Sequence, residues 1–166
     1  DMLKPIVELA NDSKVWIYQS DSLLTDDQTA AINQDLFTFL SEWSSHNQQL
    51  HAAGNVFFNR FVVLMADESY VTTGGCSIDK SIHFIQYLET RYKITLLERL
   101  NVAYCTENTP NNQNIAIVPL SGLQALYLSG DISDDTLVFD NLVKTKSDFE
   151  SAWIKPISQS WHKRFV

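Results

Sequence analysis

The sequence predicts an α+β fold in a single domain over residues 1–166, with an antiparallel or mixed sheet and helices mainly on one face. Two apolar stripes at helical spacing and several runs rich in β-branched and aromatic residues carry that reading. The order of the first elements, β-α-β-β-α-β over residues 14–105, matches a ferredoxin-like, split β-α-β start. Residues 106–166 then form a C-terminal extension with further strands and helices.

The elements follow in chain order. "KVWIYQS" (14–20) is a strand, apolar and β-branched. Thr25 caps a helix with Asp26 and Asp27 in its first turn, and Gln28 completes a capping box. Ile32, Leu36, Phe39 and Trp43 make its buried stripe, so the helix runs over about 26–43. "NVFFNRFVVLMADE" (55–68) reads as a hairpin turning at Asn59-Arg60, because Asn tolerates positive φ. A loop leads to a second helix over about 76–93, with the stripe Ile78, Ile82, Ile85, Leu88 and Tyr92. "NVAYC" (101–105) and "NIAIVPL" (114–120) form a strand pair around a polar, mobile loop. A short helix over 121–129 and a strand over 136–143 follow. Thr145 caps a helix through Trp153, and "SQSWHKRF" adds a last turn that Trp153 and Trp161 pin to the body.

Composition narrows the function. Hydrophobic residues are 45% and charged residues 19% of 166, an ordinary globular balance. The protein is acidic, with net charge −8 and its basic residues scattered. That argues against nucleic acid as a partner and against anionic membranes. No apolar run is long enough for a membrane span, and the N-terminal stretch lacks the pattern of a signal peptide. Asp1 ahead of Met2 reads as an appended residue. With Cys76 and Cys105 as the only cysteines, a reduced, cytoplasmic protein is expected. No cluster has metal-ligand spacing, and no cofactor is expected.

"GGCSIDKS" (74–81) comes close to the phosphate-binding pattern G-x-x-x-x-G-K-[ST]. Asp79 stands where the second Gly belongs. At about 4 Å and an effective dielectric of 20, its charge costs roughly 4 kcal/mol per phosphate charge. "LSGLQ" (120–124) is one residue from the LSGGQ signature of transport ATPases. "TLVFDN" (136–141) resembles the run ending in their metal-binding Asp, with Asn141 in place of the Glu that positions water. The spacing from Gly74 to Leu120 leaves little room for the helical subdomain of such enzymes.

Together "VWIYQSD", "NRFVVLMADE", "GCSIDKSIHF", "LVFDNLV" and "SWHKRF" resemble a family of small bacterial proteins, mainly from Bacteroidetes, labelled ABC transporter ATPase. The resemblance covers nearly the whole chain. It implies a self-contained cytosolic domain and carries over no catalytic residues.

Cys76 sits at a helix start, where the macrodipole and Lys80 one turn on favour a thiolate. His83 shares that face but lies seven residues on, roughly 10 Å along the axis, too far for a Cys–His pair. A base would have to be His46, His51 or His162. Three readings follow. The first is a non-catalytic domain binding a partner protein or a small, anionic ligand at Gly74, Gly75, Cys76, Ser77, Lys80 and Ser81. The second is a thiol-dependent enzyme or redox protein using Cys76. The third is a degenerate nucleotide binder using Lys80 and Ser81, as the family label suggests.

Overall fold

The computed structural model describes residues 5–166, so the reading of Asp1 and Met2 falls outside it. β1 (Lys14–Gln19) leads to α1 (Asp26–Glu42), a short hairpin of β2 (Ser44–Ser45) and β3 (Gln48–Gln49), the long hairpin β4 (His51–Phe57) and β5 (Phe61–Asp67), and α2 (Gly75–Tyr92). Then come β6 (Asn101–Cys105), β7 (Ile115–Pro119), α3 (Leu123–Ser129), β8 (Leu137–Phe139), α4 (Lys146–Ala152) and β9 (Ile154–Pro156). A 3-10 turn over Trp161–Phe165 closes the chain. The fold is α+β, and its strand pairs are antiparallel.

The strands form two principal sheets, ordered β1-β5-β4 and β7-β6-β8-β9. Strand alternation sorts their side chains into layers. Tyr18, Val56, Val62 and Leu64 face α1 and α2, where Ile32, Leu36, Ile85 and Leu88 pack on them. Ile17, Ala53, Phe61, Val63 and Met65 face the other way, onto Ala103, Cys105 and Phe139 of the second sheet. Beyond that sheet, Val102 and Val138 meet Leu123 of α3 and Ile157. The order is thus helices, sheet, sheet, helix.

The ferredoxin-like start holds for three strands and then fails. The order β1-β5-β4 is what a split β-α-β demands, but β6 leaves β1 and joins the second sheet. The reason lies in β5, all seven of whose residues are buried. An open-faced sheet would leave Phe61, Val63 and Met65 in water, at roughly 2 kcal/mol each. The second sheet covers them.

Local differences have equally local causes. The long hairpin turns at Phe58-Asn59, one residue earlier than Asn59-Arg60, with φ of 55° and 51°. That is a type I′ turn, whose twist suits the strands. Phe58 tolerates it because its ring packs on Phe61, Phe139 and Trp153. The α1 capping box forms as read: Thr25 accepts from the Gln28 amide at 3.0 Å and the Thr25 amide donates to Gln28 Oε1 at 2.9 Å. In α2 the buried face is Ser77, Ser81, Phe84, Ile85 and Leu88, rotated from the expected stripe. Small serines let the first turns lie close to Trp43, whose indole N–H donates to the Ser77 carbonyl at 2.8 Å. The 106–114 loop is organised rather than loose: buried Asn114 accepts from the Asn111 amide and donates to the Thr109 carbonyl.

Candidate functional site

The start of α2 gathers the expected residues on its first two turns, but they do not converge. Cys76 and Lys80 are exposed, whereas Ser77 and Ser81 are buried. Ser77 Oγ accepts the Gly74 amide at 2.9 Å and donates to the Gly74 carbonyl at 2.8 Å. Ser81 Oγ donates to the Ile78 carbonyl at 2.6 Å. Upstream, Glu68 accepts both the amide and the hydroxyl of Thr73 at 2.7 Å. The amides of Thr73 and Gly74, just ahead of the helix, are therefore engaged. Glycine is not demanded here either. Gly74 has φ of −108°, and a Cβ on Gly75 would meet nothing within 4 Å.

Cys76 is a free, exposed thiol, and Cys105 is free and buried. The two do not pair. Among the described residues no imidazole hydrogen-bonds Cys76. His46 lies near Gly74, its Nε2 3.7 Å from where a Cβ would stand. His51 stacks on Tyr70 at 4.1 Å, and His162 is buried elsewhere. Burial pushes the Cys105 thiol up to about 11, which keeps it inert.

Asp140 sits where the ATPase-like run would place its metal ligand, and it is fully engaged. Its carboxylate pairs with Lys155 at 2.8 Å and accepts the Trp161 indole at 3.1 Å and the Leu142 amide at 3.0 Å. Among the described residues no group of three or more His, Cys, Asp or Glu is placed to hold a metal ion. Nor, among them, is any helix long and apolar enough to cross a membrane.

The departure of β6 creates a different feature, a seam along the outer edge of β1. One end is closed by backbone: the Val15 amide donates to the Lys144 carbonyl at 3.0 Å. The other end is closed by side chains. Arg99 donates to the Ile17 carbonyl at 3.0 Å, and Gln19 Nε2 to the Asn101 carbonyl at 3.3 Å. A cavity of about 320 Å³ opens there, lined by Gln19, Arg99, Asn101, Asn141, Trp161 and His162, with Val102, Phe139 and Leu142 as apolar wall. A neighbouring hollow of about 360 Å³ shares Arg99, Asn141 and Leu142.

The seam's polar groups are held in place yet only partly engaged. Asn141 Nδ2 donates to Gln19 Oε1 at 3.0 Å, and Asn141 Oδ1 accepts the Trp153 indole at 2.9 Å. Each carboxamide is thereby oriented, with one amide hydrogen left over. Trp153 is itself locked between the sheets against Phe61, Phe139 and Phe149. The Asn101 carboxamide has no hydrogen-bond partner among the described residues. The Arg99 guanidinium lies 5.1 Å from the Tyr18 ring centre and uses one of its N–H groups, on Ile17. No carboxylate among the described residues pairs with it, and neighbouring Glu98 instead accepts the Leu100 amide at 2.7 Å.

His162 lies under the cavity wall, stacked on Trp161 at 3.8 Å, with Nδ1 2.5 Å from Ser160 Oγ. Burial pushes its pKa down to about 4, against the pull of Asp140 and with the help of Lys155. It is neutral at pH 7. Ser160 also accepts the His162 amide at 3.4 Å, so its hydroxyl caps the final turn. The arrangement supplies one cation, several amide groups, an indole and a neutral imidazole. Such groups can hydrogen-bond a polar ligand.

Sequence reasoning touched Asn141 and His162 for other reasons and passed over Gln19, Arg99 and Asn101. No motif links them, since they meet only through the topology. No protein-family model, curated protein or solved structure matches the chain.

Proposed function

We propose that this protein is a non-catalytic domain that binds a small polar ligand in the cavity beside β1. The observation that carries this reading is Arg99: a cation with no carboxylate partner among the described residues, at the mouth of a cavity lined by oriented carboxamides. Of these groups Gln19 is buried and Asn101 and Asn141 are half-buried, while Arg99 is exposed at the cavity mouth. A set left part-satisfied around a void is complementary to something that enters it. The start of α2 supports ligand binding less well, because its serines and the Gly74 amide are engaged within the helix. Cys76 is exposed, and among the described residues nothing hydrogen-bonds it to activate it, so a thiol enzyme gains no support. We take the protein as cytoplasmic, in line with its two unpaired thiols. Kinship with the small Bacteroidetes proteins belongs to the same proposal, since that likeness implies no catalytic residue.

The test is an amide and indole NMR titration with a mixed set of small acids, amides and sugars. The Trp161 indole and the Asn101 and Asn141 side-chain resonances should move first. If the moving resonances belong instead to Gly75–Lys80, the ligand site is at the helix start and the seam reading is wrong.

A further inference from the structure

We infer that the ligand of the seam carries a single carboxylate, gripped by Arg99 and Asn101, with an apolar portion against Trp161. This rests on the binding role proposed for the cavity and names its chemistry. The guanidinium is a planar fork with five N–H groups, of which the Ile17 carbonyl takes one. A carboxylate is the planar, two-oxygen acceptor that such a fork matches. Asn101, without a partner among the described residues, can donate to a carboxylate oxygen that Arg99 leaves open.

The charge balance selects a monoanion. Lys155, nearby, is already paired with Asp140 at 2.8 Å, and among the described residues lining the cavity Arg99 is the one Lys or Arg. Glu98 stands at the rim, and the whole chain carries −8. A phosphate dianion would meet one cation in a repelling field, whereas one carboxylate meets one guanidinium. Val102, Phe139 and Leu142 form an apolar wall beside the polar groups. A purely polar ion would leave the exposed Leu142 side chain and the half-buried Trp161 ring wet, so the ligand has hydrocarbon as well as charge.

Dissociation constants would be measured for acetate, isobutyrate and benzoate, each beside its primary amide, and for inorganic phosphate. Wild type, Arg99→Gln, Arg99→Lys and Asn101→Ala are compared, with thermal unfolding confirming that each variant is folded. At least one acid should bind about tenfold tighter than its amide, as a charge-assisted contact implies. Arg99→Gln should abolish that preference, Arg99→Lys keep part of it, and Asn101→Ala weaken acid binding without changing the melting temperature. Equal binding of acid and amide, or phosphate binding tighter than every acid, overturns the carboxylate while leaving the cavity as a ligand site. Binding of no probe at tens of millimolar overturns both.

Discussion

At the start of α2, hydroxyls and amides answer to neighbours three residues away, as Ser77 does to Gly74 and Ser81 to Ile78. At the seam, partners come from afar: Gln19 and Asn101 are 82 residues apart, and Asn141 reaches Gln19 across 122. The first region is self-sufficient. Its two serines and the Gly74 amide complete the helix end, while Cys76, Asp79 and Lys80 stand exposed. The second region is incomplete. Its groups are oriented by the fold and still hold free hydrogen-bonding capacity around a void. The contrast teaches that a motif-like string can be wholly structural, while a set of scattered residues carries the free chemistry.

The sharpest way to probe the seam is through the pH dependence of stability. His162 is held neutral, its pKa lowered from 6.5 to about 4. The folded-state value is the lower one, so the unfolded chain takes up the proton first. The stabilising contribution is complete above pH 6.5 and is lost as pH falls from there to about 4. Between pH 7 and 4 the wild type should lose about 3 kcal/mol more unfolding free energy than His162→Gln. Parallel pH profiles would mean that the imidazole is hydrated in the fold and the cavity wall is looser than drawn.

A smaller effect separates the two kinds of group at the helix start. Ser77→Ala removes the acceptor for the Gly74 amide and should lower stability by about 1 kcal/mol in chemical denaturation. Cys76→Ala, one residue away, should stay within about 0.5 kcal/mol. A large loss at Cys76, or none at Ser77, would reverse the account of that turn.

Legibility follows the same division. Thr25 and Gln28 announced their capping box because its parts are three residues apart, and Thr145 announced α4 in the same way. The run FVVLMA (61–66) is apolar at every position, and that was the available sign of a sheet covered on both faces. Read as a hairpin strand of an open-faced sheet, it hid the second layer and with it the seam. The α2 stripe was offset by one residue at its start, because Ser77 and Ser81, not Ile78 and Ile82, lie on the buried face, with Ser77 against Trp43. Arg99 carried no local signal at all. Its meaning depends on β6 turning away from β1, which no spacing between residues encodes.

The measurement that bears most directly on the central claim is the unfolding free energy of Asn101→Val beside the wild type. If the carboxamide is held for a ligand and not for the fold, a β-branched residue at this strand position should leave stability unchanged or raise it by up to about 1 kcal/mol, while acid binding is lost. A clear fall in stability with binding intact would show that Asn101 serves the fold, and that the seam is no freer than the start of α2.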